Sequence, residues 1–429
     1  MGRLLRLLRR RGSAAAAWTP ASRSNLVSWT SPDSGGYSGT VTTLAGLGGT
    51  PSLVDASGAG WTWNAARYNG LPLFTSRSTA SQMRAAFALP QPLTVYAVVR
   101  LRMRKTTRVT FDGGGTGLAI VYSTGTFSDL AVVQYPSFNP APTPLGRLGL
   151  LKIVFDGSAS SISFNGGAVA TGDNGTAAPN GITIGNGGNV GELYGDCIDV
   201  GEVFAYTDRL NATDDARAVG YALGRWPLNG NNGKTVAWVG DSLTRGSDNG
   251  TSAGPWQSSP PGQMQANNPT WNVCNFGVDG QTASAMYAEY AATVAPTYNA
   301  ADTKKAIVFA GGINDLATGT TPAALLTVVQ NYAALAAATG WDDFLVCTLS
   351  DYNPATSSGI RAKIDAYEGL VNGAFPSSHI VPVTANALIG VSGAYAYGLY
   401  FGADRVHNTA LGYGVRMSLA EAKLQALGY

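Results

Sequence analysis

The sequence predicts a multidomain chain. An all-β jelly-roll sandwich spans residues 18–228, and an α/β/α domain with a five-stranded parallel sheet follows over 229–429, behind a basic tail at 1–17. Three observations predict this. The hydrophobic period changes near residue 228, from short strand-like runs to runs that alternate with helical segments. The change falls on a breaker-rich stretch, Trp226-Pro227-Leu228 followed by Asn229-Gly230-Asn231-Asn232-Gly233. The 429 residues also exceed what one core serves, at roughly 150 residues per domain.

In the first domain, runs rich in Val, Ile, Tyr, Phe and Thr predict strands at 93–101, 118–122, 150–155, 161–164, 181–184 and 199–206. The turn at 113–115 precedes the second run. Asp156-Gly157 starts the turn that joins the third and fourth into a hairpin. A short helix over 216–223 closes the domain, with Asn211 or Thr213 as its cap.

In the second domain, apolar runs at 235–239, 271–275, 306–310, 344–349 and 379–383 alternate with helical segments at 282–293, 322–338, 358–371 and 410–427. Thr321-Pro322 is a capping hydroxyl followed by proline at the first helical position, and Thr409 or Asn408 can cap the last helix. Five strands separated by helices imply a doubly wound parallel sheet, whose ligands bind beyond the carboxyl ends of the strands. The stretch 245–270, with Trp256 and Pro260-Pro261, reads as a long polar connection that either covers that end or forms a substrate wall.

Composition excludes several classes. The chain is 45 % hydrophobic and only 13 % charged, which excludes charge-driven disorder. Its 55 glycines follow no three-residue period, which excludes collagen. Five of the 28 basic residues are Arg3, Arg6, Arg9, Arg10 and Arg11; without them the body carries 23 against 26 acidic residues. The basic excess is therefore in the tail, and the body has no footprint for nucleic acid. Leu4, Leu5, Leu7 and Leu8 alternate with those arginines, which suits a frayed basic terminus, a short docking helix, or contact with a membrane surface. The tail lacks the apolar run of a signal peptide, and no run reaches the ~20 residues of a membrane span. The three cysteines, Cys197, Cys274 and Cys347, are widely spaced and predict neither a disulfide framework nor a zinc site; no cofactor or metal is expected.

Four short motifs fall in the loops where the chemistry of such a sheet belongs. Gly240-Asp241-Ser242-Leu243-Thr244 follows the first strand and puts a serine at a strand-to-helix turn, where developing negative charge is favoured. Asn275-Phe276-Gly277-Val278-Asp279-Gly280-Gln281-Thr282 follows the second, and its glycines let backbone N–H groups approach a substrate. Gly311-Gly312-Ile313-Asn314-Asp315 follows the third and offers a side-chain amide as donor. Asp404-Arg405-Val406-His407 precedes the last helix, and a carboxylate and an imidazole three apart can share one turn. Each alone also reads as a helix cap, a plain turn or a satisfied histidine. His379, which opens a strand without an acidic neighbour in the sequence, has only the plain reading.

Together, in this order, the four blocks resemble the SGNH (GDSL-like) hydrolases over about 234–429. The resemblance implies Ser242 as nucleophile, His407 as base and Asp404 as the residue that orients it. It implies an oxyanion hole from the Ser242 and Gly280 N–H groups and the Asn314 amide. Gly277 rivals Gly280, which matches the family spacing better. Asn408 stands where the family often has proline.

The first domain resembles concanavalin A-like (laminin G-like) jelly rolls, through Trp18-Thr19-Pro20, Leu26-Val27-Ser28-Trp29, the 92–99 strand, and the closing 199–210 and 220–226 segments. That resemblance implies a glycan or partner surface. Trp61, Trp63 and Tyr68 either stack on sugar rings or serve as core aromatics. The two resemblances imply a serine esterase that removes short acyl groups, acetyl foremost, from a carbohydrate such as surface polysaccharide. They further imply an extracellular or phage-like particle setting, with the tail as anchor and a homo-oligomeric assembly. The alternatives are a polysaccharide-binding appendage with little turnover, and a lipase or thioesterase of the same fold.

Overall fold

The computed structural model describes residues 18–429 apart from 56, 59, 78–80, 87–89, 104–107, 113–119, 125–128, 134–137, 143–144, 168, 174, 177, 179–180, 186–197, 229, 248–255 and 353–358. The tail, the turn at 113–115 and Cys197 lie outside the described residues.

The first domain consists of two antiparallel sheets. One runs from Ala170–Gly172 through Leu93–Leu101 and Ile198–Tyr206 to Thr40–Val41; the other runs from Phe138–Pro142 through Gly181–Ile184 to Thr43–Leu44. They face each other across one buried cluster, to which the first sheet contributes Val95, Ile153 and Val203 and the second Met83, Ile182 and Ile184. Leu93–Leu101 and Ile198–Tyr206 pair with each other and are buried along their whole length. Alternate residues explain this. Val95, Ala97 and Val99 point at the opposite sheet, while Tyr96 and Val98 point outward beneath the helix Ala212–Arg225. That helix is capped as expected: Asn211 accepts from the N–H groups of Thr213 and Asp214. The expected hairpin also forms, with Leu151 opposite Phe164 and Val154 opposite Ser161.

The second domain is a five-stranded parallel sheet: β1 Lys234–Gly240, β2 Asn272–Asn275, β3 Lys304–Ala310, β4 Asp343–Cys347 and β5 Ile380–Val381. Their spatial order is β2-β1-β3-β4-β5. The helices are α1 Ser242–Arg245, α2 Pro260–Asn267, α3 Ala283–Thr293, α4 Ile313–Ala317, α5 Pro322–Thr339, α6 Ile360–Ala374 and α7 Ala410–Ala426. Alternation along β1 serves both faces: Val236 and Trp238 pack with Met264 and Met417, and Ala237 and Val239 pack with Val329 and Tyr332. The chain reverses direction of winding at β1, so the ends of β1 and β3 flank a switch point, the usual ligand crevice.

Two expectations are corrected here. The polar connection contains helix α2, which packs against α7 and β2. Its start has the same chemistry as α5: Ser259 accepts from the Gly262 N–H, and Pro260 occupies the first helical position. His379 does have an acidic neighbour, because strand pairing brings Asp343 Oδ1 to 3.2 Å from its Nε2.

The domains are joined by more than a linker. The first domain meets the open edge of the parallel sheet through a single β-bridge. Met103 forms a parallel bridge with Asn275, whose N–H donates to the Arg102 carbonyl at 2.8 Å. The Asn272 amide donates to the Gly146 carbonyl at 3.0 Å, and the Thr297 hydroxyl to the Leu145 carbonyl at 2.7 Å. The breaker-rich segment is fastened too: the buried Asn232 amide donates to Asp302, and its carbonyl accepts from Arg100.

Candidate active site

The turn after β1 fixes the candidate nucleophile. Asp241 caps α1, its Oδ1 accepting from the Leu243 N–H at 2.9 Å, and this sets Ser242 at the first helical position. The second block closes over the same turn. A Cβ on Gly277 would stand 2.3 Å from the Arg245 nitrogen and 2.9 Å from the Asp241 carbonyl oxygen, so only glycine allows this approach. Gly280 serves a different purpose. It has φ +70° with open space where a Cβ would be, and it lines the cavity that holds Ser242. The two glycines thus separate, one packing the serine turn and the other facing the cavity.

His407 is set by its own turn rather than by a strand. Asp404 Oδ1 accepts from the backbone N–H groups of Val406 and His407, both at 3.0 Å, and its Oδ2 lies 2.6 Å from His407 Nδ1. His407 Nε2 lies 2.8 Å from Ser242 Oγ. Partial burial works against ionisation of Asp404, but hydrogen bonds from the His407 side chain and from two backbone N–H groups outweigh it. They hold the carboxyl below its usual range. An ionised Asp404 keeps the proton on Nδ1 and leaves Nε2 free to accept the hydroxyl proton.

Ser242, Gly280, Asn314 and His407 line one cavity of about 200 Å³, with Ser247, Asp279 and Tyr352. Asn314 lies near the start of α4, and its Nδ2 donates to the Gln281 carbonyl at 3.0 Å, leaving one N–H of the amide for another acceptor. The backbone N–H groups of Ser242 and Gly280 have no acceptor among the described residues. Unbonded donors beside a serine hydroxyl are what a tetrahedral oxyanion requires. Asn408, in the place of the family's proline, is buried and pairs with Phe401 across the loop that carries His407.

Sequence reading passed over Ser247, Asp279 and Tyr352 as lining residues. Asp279 is held by the Ser247 hydroxyl at 2.6 Å and by an ion pair with Arg245. Its place beside Gly280 was the available signal. Asp241 and Asp315 hold the backbone around the site, accepting from the Leu243 N–H at 2.9 Å and the Ala283 N–H at 2.8 Å. Burial raises both carboxyls, Asp241 to about 6.

The aromatic candidates of the first domain lie elsewhere. Trp61 and Tyr68 are buried, and the Tyr68 hydroxyl hydrogen-bonds the Pro227 carbonyl. Trp63 is half-buried and donates to the Pro32 carbonyl at 2.8 Å. Core packing has taken the ring faces of Trp61 and Tyr68 that a sugar would need. Among the described residues no three His, Cys, Asp or Glu side chains converge as metal ligands, and no helix is long and apolar enough to cross a membrane.

The GDSL-like lipase/acylhydrolase family matches residues 238–415, and that domain is a member of it, which supports an ester-hydrolysing enzyme. Among solved structures, a lipolytic G-D-S-L family protein from Veillonella parvula DSM 2008 is 20 % identical, with TM-score 0.37, over 44 % of this chain and 97 % of that one. The lipase/acylhydrolase from Enterococcus faecalis is 15 % identical, with TM-score 0.35, over 45 % and 96 %. Trypanosoma rangeli sialidase in complex with sialic acid is 14 % identical, with TM-score 0.34, over 46 % of this chain and 33 % of that one. No curated protein matches the chain.

Proposed function

Given a GDSL-like hydrolase domain, we propose that the protein is a serine esterase that removes short acyl groups, acetyl foremost, from a carbohydrate. The observation that carries this reading is the hydrogen-bonded line Asp404–His407–Ser242, with Gly280 and Asn314 on the same small cavity. In the reaction, His407 Nε2 takes the proton as Ser242 Oγ attacks the ester carbonyl. The oxyanion is held by the Ser242 and Gly280 N–H groups and the Asn314 amide. His407 returns the proton to the leaving alcohol. Water, activated by the same imidazole, then frees the acid from the acyl-enzyme.

The cavity of about 200 Å³ favours a short acyl group over the long chains of a lipase. The carbohydrate assignment draws on the neighbouring all-β domain and is an analogy of architecture. A particle-borne, extracellular setting draws on the arginine- and leucine-rich tail and on the jelly-roll resemblance of the first domain. Initial rates on p-nitrophenyl esters from acetate to octanoate test the chemistry, for wild type and Ser242→Ala. Acetate turnover that the variant loses is expected. A maximum at octanoate, or turnover that survives in Ser242→Ala, overturns the reading. Acetate release from acetylated polysaccharide, with none from deacetylated polymer, tests the substrate.

A further inference from the structure

A second cavity, of about 350 Å³, lies between the two domains. Its floor is Asn64, Thr75, Arg102 and Gln265, all buried, and its rim includes the exposed Thr40, Arg77 and Gln257. Beneath the floor is a charge imbalance. Three arginines, Arg67, Arg100 and Arg102, are fully enclosed around one carboxylate, Asp199. Arg100 is satisfied: its Nε and Nη2 donate to Asp199 and its Nη1 to Asn232. The other two keep N–H groups without a hydrogen-bond partner. Arg67 donates one bond, to Gln265 at 2.7 Å, its Nη2 stands 3.8 Å from Asp199, and its Nε and Nη1 make no hydrogen bond. Arg102 pairs its Nε with Asp199 Oδ1 at 3.3 Å, makes one long hydrogen bond to the Ser76 carbonyl at 3.4 Å and lies over the Trp256 ring, and its Nη1 has no partner. Among the described residues no second carboxylate pairs with the cluster.

A guanidinium does not escape burial by losing its proton in ordinary conditions, so the cluster holds excess positive charge. Burial and the adjacent Arg100 charge push Arg67 well below its ordinary range, as unbalanced positive charge requires. Water in the cavity can satisfy N–H groups but leaves the charge uncompensated. An anion does both. The planar fork of arginine matches a carboxylate, which takes two parallel bonds. The rest of the wall is amide and hydroxyl, from Asn64, Thr62, Thr75 and Gln257, with the Trp256 indole as one apolar side. Such a lining suits a ring that bears hydroxyls, and the volume falls in the range of small-ligand sites.

We propose that this interdomain cavity binds an acidic sugar of the hexuronate type, with its carboxylate on Arg102. The inference stands apart from the esterase reading, and its test uses no turnover. Isothermal titration of the full-length protein with sodium D-glucuronate should give saturable binding, while glucose and matched sodium chloride give none. Arg102→Gln should weaken the affinity about 10- to 100-fold, the loss of a charge-assisted hydrogen bond. Thr62→Tyr, which fills the cavity from its wall, should abolish binding and serves if Arg102→Gln does not fold. Circular dichroism checks folding of each. Absence of saturable glucuronate binding by wild type overturns the proposal, as does unchanged affinity in both variants. Inorganic phosphate binding as tightly as glucuronate overturns the sugar assignment.

Discussion

Asn314 has one amide N–H committed to Gln281 and one left for an oxyanion. Removing one such donor typically costs ~100- to 1,000-fold in turnover. Asn314→Ala should therefore lower kcat for p-nitrophenyl acetate by about that factor while KM moves little. Ser242→Ala should cost at least about 10,000-fold, and Asp404→Asn about as much, because an amide no longer favours the tautomer with the proton on Nδ1. Asp241 gives a prediction of stability. Its carboxyl sits near 6 when folded, against an ordinary 3.8. Between about 4 and 6 the folded chain holds this proton more tightly than the unfolded one, so the group's contribution to stability is whole at low pH and lost as pH rises. Asp241→Asn keeps the acceptor for the Leu243 N–H and removes the titration. Urea unfolding from pH 4 to 7 should find the variant gaining on wild type as pH rises, with no further gain once the carboxyl is ionised. A constant difference across that range would sink the assignment.

At the scale of elements, the site depends on how two turns touch. Gly277 lies against the backbone of α1, and a methyl there must displace either the Arg245 nitrogen or its own loop. Overpacking of this kind costs about 1–3 kcal/mol. Gly277→Ala should therefore lower both thermal stability and kcat, since the displaced turn carries Ser242. Gly280→Ala meets open space but a left-handed backbone, at about 1–2 kcal/mol, and should act chiefly on kcat. Helix α2 shows what was legible at this scale. Ser259-Pro260 is as good a start signal as Thr321-Pro322, yet the eight residues that follow have no apolar periodicity to read. The helix exists because Met264 packs against the sheet and α7, and Gln265 meets Arg67 of the first domain.

At the scale of the whole molecule, backbone and side-chain hydrogen bonds tie the two domains together. Arg102 and Met103 cover the outer edge of β2, whose exposed N–H and C=O groups would otherwise invite pairing with other chains. Calorimetry of the full chain should show one unfolding transition. Residues 229–429 expressed alone should aggregate through that uncovered edge; a soluble, monodisperse fragment would show that the first domain is not needed there. The three-arginine cluster belongs to this scale as well, since its partners come from strands far apart in sequence and from α2 across the interface.

By itself the sequence determined what is local or periodic. Strand alternation set the faces of β1. Thr321-Pro322 and Asn211 set helix starts, and the Asp404–His407 spacing set a turn that holds an imidazole. Those signals are written within a few residues, where backbone geometry links them. Only the tertiary structure decided that Ser242 and His407, 165 residues apart, stand 2.8 Å from each other. It also decided that Trp61 and Tyr68 are core and that His379 meets Asp343. These depend on which sheet edge meets which face. Such contacts arise from burial, which is additive over the whole surface and attached to no single stretch of chain.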